Sequence, residues 1–201
     1  LLTEDVNSND NRPIFSMPDK SLLNLGIIAF CSMMCEGAMF DWSGVYFKKV
    51  VMAEKALVGL GYTAFMVTMA GTRFVADRLS HKFGLRRMLQ GSGTFTATGL
   101  LLSVLFPSLI TATVGFLLVG IGVSSVVPLV YSAVGKSKTL SPGVALAAVS
   151  TLGFLGFLIG PPVIGLIAGV SSLRFSFLLI AMMGVSVVLL SSFSLTKNQS
   201  S

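Results

Sequence analysis

Residues 70–87 read AGTRFVADRLSHKFGLRR and hold six charged side chains, the densest group of charges in the chain. Apolar runs adjoin this segment on both sides, at 56–76 and 88–106. A charged side chain at the centre of a membrane helix costs about 3 kcal/mol, whereas a Leu or Phe there returns only about 0.5 kcal/mol. The pattern therefore predicts two membrane-spanning helices joined by a charged loop at 77–87.

The same pattern extends to the whole chain of 201 residues, of which 53% are apolar and 11% are charged. Soluble proteins average roughly 25% charged residues, and one membrane span takes about 20 apolar residues. Six spans fit this length and leave no room for a separate soluble catalytic domain. We therefore predict an all-α integral membrane protein with spans at 21–44, 56–76, 88–106, 109–134, 142–168 and 174–195.

Polar tails flank this predicted six-helix domain, which occupies 21–195. Residues 1–20 are polar with scattered acids, which is typical of a flexible cytoplasmic linker or tail. Residues 196–201 are predicted to form a short cytoplasmic tail. Because the chain opens on Leu-Leu and a linker rather than on Met, we expect it to be the latter part of a longer protein.

Lys and Arg collect in the cytoplasmic loops of membrane proteins, so their distribution predicts the orientation of the domain. The side that holds both termini carries nine of them, whereas the other side carries Lys48, Lys49, Lys55 and Arg174. Both termini are therefore predicted to be cytoplasmic in a multi-pass protein of the plasma membrane. This topology explains the net charge of +6, and no basic stripe with exposed aromatic residues suggests nucleic acid as a partner.

The sequence offers little that an enzyme would need. Its single histidine, His81, and its two cysteines, Cys31 and Cys35, do not make a catalytic triad or a metal site. No phosphate-binding glycine loop follows a predicted strand. We predict a protein that is not an enzyme and that holds no cofactor or metal.

The predicted substrate-binding or coupling residues lie in the outer half of the first span: Glu36, Asp41 and Trp42. Acids within membrane helices usually face a cavity or a partner. Glu36 therefore either binds substrate or a coupling proton, or is bonded structurally to a neighbouring helix. Asp41 lies about 140° around the helix from Glu36, so the two are not expected to serve one site. The favoured alternative for Asp41, which Trp42 and Tyr46 follow, is an interfacial belt.

Two further groups of residues are predicted to shape the helices. Arg73, expected near the cytoplasmic end of the second span, stands four residues before Asp77 and can pair with it on one helix face. Glycines and prolines of the fourth and fifth spans predict either ordinary close packing or hinges that line a translocation route. These hinge or packing residues are Pro128, Gly156, Gly160, Pro161 and Pro162.

The segment at 70–87 resembles the signature loop that follows the second and the eighth helix of transporters of the major facilitator superfamily. That loop has a Gly, then Asp-Arg, then a second Gly and paired basic residues; Arg73 stands where the motif often has its first Gly. The resemblance implies that the motif residues stabilise one conformational state through helix-end and salt-bridge contacts. In this sequence they are Arg73, Asp77, Arg78, Gly84, Arg86 and Arg87.

Three more segments, 36–43, 143–148 and 153–162, resemble the C-terminal half of a poorly characterised bacterial branch of this superfamily, loosely related to fucose-type sugar permeases. The resemblance implies six helices in two inverted three-helix repeats, which rock against an N-terminal six-helix half of the same polypeptide. A small-molecule substrate would bind near the midplane between the halves, with protons as the expected coupling ion. Two alternatives remain open: a non-transporting six-helix receptor or assembly subunit, and a six-helix permease that acts as a homodimer.

Overall fold

The computed structural model describes residues 20–136 and 140–194, apart from the side chains of Asp77, Phe193 and Ser194. The predicted tails were 1–20 and 196–201; residues 1–19 and 195–201 lie outside the described residues, and Lys20 begins the first helix. A short 3-10 helix at Lys55–Leu57 precedes α2. The α-helices are α1 (Lys20–Lys49), α2 (Leu60–Leu105), α3 (Leu109–Ser124), α4 (Val126–Val134), α5 (Pro142–Val170) and α6 (Leu173–Ser194).

The prediction of a charged loop at 77–87 was wrong, because α2 runs through this segment and is broken only at Gly84. Its first arm is 60–83 and its second arm is 85–105. No Gly or Pro interrupts 77–83, and charged side chains at the end of a membrane helix extend into water, so the helix need not stop where the apolar run stops. Arg73 consequently lies in the middle of the first arm rather than near its cytoplasmic end.

Gly84 allows the sharp reversal between the two arms. Its φ of +76° and ψ of 162° lie in a region that is essentially restricted to glycine. With this break, the two arms of α2 supply the second and third spans. The first, fifth and sixth spans are α1, α5 and α6, which are long and apolar enough to cross a membrane.

The fourth span, Leu109–Val134, is also long and apolar enough to cross, but it is divided into α3 and α4 at Ser125. Pro128 follows three residues later. A proline lacks the N–H that would bond the carbonyl four residues earlier, and its ring crowds that carbonyl, so the break falls where Pro128 disturbs the helix.

The six spans pack as two inverted three-helix repeats. α1 packs along α5, where the carbonyl oxygen of Phe157 would lie 2.7 Å from a Cβ on Gly37. The equivalent contact of the second repeat joins its first helix, α3, to the first arm of α2. There Thr68 Oγ1 donates to the carbonyl of Leu117 at 2.9 Å. The first helix of each repeat thus contacts the second helix of the other. Both contacts depend on small residues, as in other membrane bundles.

The end of α2 at Leu105 is capped by side chains from two other helices. It lies on the side of the bundle where α1 ends, and this side is called outer below. Pro107 has no N–H, which leaves the carbonyl of Ser103 without its helical donor, and the Tyr46 hydroxyl of α1 donates to it at 2.8 Å. Arg174 of α6 donates to the next carbonyl, that of Val104, at 2.6 Å. The Tyr46 ring is fully buried against Phe116 and Phe177. The Tyr46 side chain therefore faces the interior of the bundle, while the interfacial belt stays a prediction for Asp41.

We expect Tyr46→Phe to destabilise the protein by about 1–3 kcal/mol, because the Ser103 carbonyl would be left buried without a donor. Thermal unfolding in detergent checks this. Tyr62→Phe is the matched control, since the Tyr62 ring is 38% exposed and its contact with Phe40 does not need the hydroxyl. Equal melting temperatures for the two variants would contradict the cap.

Gly84→Ala should lower stability by roughly 1–3 kcal/mol, since alanine is strained at the backbone angles that Gly84 adopts. In the same unfolding assay Gly71→Ala should be neutral or stabilising, because Gly71 is helical and a Cβ there would touch nothing. If Gly84→Ala is as stable as Gly71→Ala, the break does not require a glycine.

Candidate functional site

A half-buried ion pair lies between α1 and the first arm of α2. The Glu36 Oε1 is 3.9 Å from the Arg73 Nη2, and the two side chains are 13% and 52% exposed, respectively. Thirteen residues separate Glu36 from Lys49, and thirteen also separate Arg73 from Leu60. Both charges therefore lie about 20 Å along their helices from the outer ends.

This pair was not predicted, since Arg73 was assigned to Asp77. The side chain of Asp77 lies outside the described residues, so the predicted Arg73–Asp77 pair stays a prediction. Among the side chains that the structure describes, Glu36–Arg73 is the only ion pair. The contact could not be read from the sequence, because 37 positions separate its members.

An aromatic layer closes the outer side of this pair. Phe40, one helical turn beyond Glu36, lies with its ring centroid 6.0 Å from Tyr62, 6.0 Å from Phe65 and 5.9 Å from Phe157. The spacing of Glu36 and Phe40 predicts that they share a face of α1. Only the packing reveals that α2 and α5 supply the other rings.

Asp41 and Trp42 lie against a different helix from Glu36, in line with the helical phase. They border a cleft of about 610 Å³ between α1 and α5, named here the outer cleft. The Trp42 indole Nε1 donates to the carbonyl of Pro161 at 3.1 Å, which anchors the ring across the two helices. The outer cleft is lined by Asp41, Trp42, Val45, Phe157, Leu158, Pro161 and Pro162.

The glycines and prolines of α5 have separate roles in this conformation. Gly156 and Gly160 pack against the backbone of α1 at Phe30 and Met34, whereas Pro161 and Pro162 border the outer cleft. α5 remains helical through both prolines. Their missing N–H groups nevertheless leave two carbonyls, four residues earlier, without helical donors.

The remaining motif residues lie around the break in α2. Arg78 and Arg87 are exposed, Arg86 is half-buried, and Gly84 is the break itself. Within the described ranges, no three His, Cys, Asp or Glu side chains come close enough to bind a metal ion.

The family model for the Major Facilitator Superfamily matches residues 22–200. This chain belongs to the major facilitator superfamily. It is 35% identical over 193 residues to the membrane protein MosC of Rhizobium meliloti, covering 96% of this chain and 47% of MosC. It is 33% identical over 175 residues to an uncharacterised MFS-type transporter of Yersinia pestis, covering 87% of this chain and 46% of that protein.

The fold of this superfamily member is also similar to that of a solved transporter. The crystal structure of the peptide transporter POT with alafosfalin superposes with a TM-score of 0.78 at 18% identity, covering 90% of this chain and 39% of that one. The prediction of an all-α half of a major facilitator fold is therefore confirmed. The chain spans about half the length of the curated relatives described above.

Membership confirms that this chain is a multi-pass membrane protein from a family of transporters rather than of enzymes. The looser relation to fucose-type sugar permeases is not tested by these matches and stays a prediction.

The close packing of α5 against α1 can be tested by adding one methyl group at the contact. Gly156→Ala should destabilise the protein by roughly 1–3 kcal/mol, because its Cβ would meet the backbone of Phe30. Gly143→Ala in the same helix is the matched control, since a Cβ there would touch nothing. Thermal unfolding of both variants checks the prediction, and a wild-type melting temperature for Gly156→Ala would refute it.

Proposed function

We propose that this chain is the C-terminal half of a secondary transporter of the bacterial inner membrane, with both termini cytoplasmic. The transporter moves a small solute by alternating access, coupled to protons. The observation that carries the proposal is the Glu36–Arg73 pair, which lies deep in the bundle with Arg73 half exposed. A guanidinium facing hydrocarbon at this depth is costly, so this face of the bundle is expected to border an aqueous route or further protein.

The unpartnered faces of α2 and α5 support a second half. In the most apolar part of α5 only 28% of the residues are buried within the chain, against 72% in α1. On the first arm of α2, Phe74 is 86% exposed close to Arg73. The partner proposed for these faces is the N-terminal six-helix half of the same polypeptide.

Proton coupling follows from the chemistry of the ion pair. An ionised Glu36, whose side chain is 13% exposed, attracts Arg73 across 3.9 Å. Protonation of Glu36 removes this attraction and frees Arg73 to contact substrate or to move with α2. A proton taken up from one side and released to the other would thus drive the change of state.

The motif and hinge residues are proposed to serve this change of state. Arg86 and Arg87 follow the break at Gly84 by two and three residues, and their proposed role is to stabilise one state together with Asp77 and Arg78. Breaks or weakened hydrogen bonds in the fourth and fifth spans provide hinges. They arise at Pro128, Pro161 and Pro162, with Gly156 and Gly160 as the close-packed surface next to them.

The full-length protein in liposomes tests the proposal. A pH-sensitive dye is trapped inside, and pools of sugars, amino acids, organic acids and organic amines are added outside. We expect at least one pool to drive proton entry, and Glu36→Gln to abolish it, because an amide does not take up and release a proton near neutral pH. Glu54→Gln is the matched control, since Glu54 is an exposed acid before the 3-10 helix.

Size-exclusion profiles show whether each variant remains folded. Proton entry that persists in a folded Glu36→Gln protein would remove Glu36 from the mechanism. Wild-type liposomes that respond to no pool would contradict proton coupling.

A further inference from the structure

The outer cleft is separate from the Glu36–Arg73 pair and has the dimensions of a small-molecule site. Its volume of about 610 Å³ falls within the range of pockets that enclose drug-sized ligands. Asp41 is five residues, or about 7.5 Å along the helix, beyond Glu36. Phe157 belongs both to the aromatic layer and to the lining of the cleft, and so separates the two regions.

The polar groups of the outer cleft are acceptors. Asp41 is exposed to the cleft, and its carboxylate has no ion-pair partner among the described side chains. Leu158 lines the same space, and its carbonyl lacks the helical donor that Pro162 cannot supply. No Lys or Arg borders the cleft. An acid and a freed carbonyl together are suited to a cation that also donates hydrogen bonds.

The remaining walls are apolar, aromatic and held in place. The Trp42 indole is fixed by its hydrogen bond to the Pro161 carbonyl, and Phe157 is held against Phe40. Indole and phenyl faces attract ammonium groups as well as apolar surface. These walls therefore complement an organic body that carries a cation rather than a bare metal ion.

Two basic side chains close to Trp42 belong to a different cleft. Lys49 and Arg174 line a second cleft of about 380 Å³, which shares Trp42 and Val45 with the first. The Arg174 guanidinium is engaged with the carbonyl of Val104. The negative charge of Asp41 therefore remains available to a ligand.

We propose that the outer cleft binds an organic ammonium ion with an aromatic or branched apolar body. The carboxylate of Asp41 pairs with the ammonium group, the Leu158 carbonyl accepts a second hydrogen bond from it, and Trp42 and Phe157 pack against the apolar body. The inference rests on the proposed transport function only in treating the occupant as a transported solute.

The binding test uses the full-length protein in lipid nanodiscs at pH 7, titrated calorimetrically with empty nanodiscs as the blank. The probes are 2-phenylethylammonium, the neutral 2-phenylethanol and the anionic 3-phenylpropionate, which share the phenyl group but differ in charge. We expect the ammonium ion to bind at least about tenfold more tightly than the alcohol, as a charge-assisted hydrogen bond allows. The carboxylate should bind more weakly than either.

Two variants assign the contacts. Asp41→Asn should weaken ammonium binding about tenfold or more and leave the alcohol unchanged, whereas the control Glu54→Gln should change neither. Pro162→Ala restores an N–H that occupies the Leu158 carbonyl, and should weaken ammonium binding several-fold.

The proposal is overturned if the ammonium ion binds no more tightly than the alcohol, the result expected for a groove that holds lipid chains. It is also overturned if a folded Asp41→Asn protein keeps its full ammonium affinity. Both of these results can be distinguished from failure of the proposed transport mechanism. Proton entry that persists in Glu36→Gln would count against coupling, while the titration of Asp41 variants would be unaffected.

Discussion

A backbone carbonyl that loses its helical hydrogen bond inside a bilayer must find its donor within the protein, because lipid offers none. Prolines leave carbonyls without a helical donor at several points of the bundle. The groups that replace these donors hold neighbouring helices together. At Pro107 the released Ser103 carbonyl receives the Tyr46 hydroxyl. This bond ties the outer end of α2 to α1, and Arg174 ties the same end to α6.

The two prolines of α5 create the same demand without an equivalent protein donor. The Phe157 carbonyl, released by Pro161, lies against Gly37 of α1. Because Gly37 has no side chain, the two helices come close enough for a weak Cα–H···O contact with this carbonyl. Such a contact replaces only part of the lost hydrogen bond. Leu158, whose carbonyl is released by Pro162, lines the outer cleft together with Asp41. The loss of a proline N–H thus ties two helices together at Ser103, and at Leu158 it frees a hydrogen-bond acceptor in a residue that lines the cleft.

The membrane character, the approximate positions of the six spans and the position of Glu36 within the first one could be predicted from the sequence. These features depend on local hydrophobicity, which lipid selects directly. The charged segment around Asp77 was harder to interpret, because hydrophobicity indicates where hydrocarbon ends and not where a helix ends. The partner of the Tyr46 hydroxyl could not be predicted for a related reason, because the carbonyl that accepts its hydrogen bond lies 57 residues further along the chain.

By itself, the sequence determined that this is a six-span membrane protein of the transporter type, with an acid deep in its first helix and a proline within its fourth span. Those properties follow from residue type and local spacing. Only the tertiary structure decided that Glu36 faces Arg73, that Phe40 closes the outer side of this pair, and that Asp41 opens onto α5 instead. These relations depend on how the helices rotate and slide when close-packed glycines bring them together, and no local pattern of residues specifies that rotation.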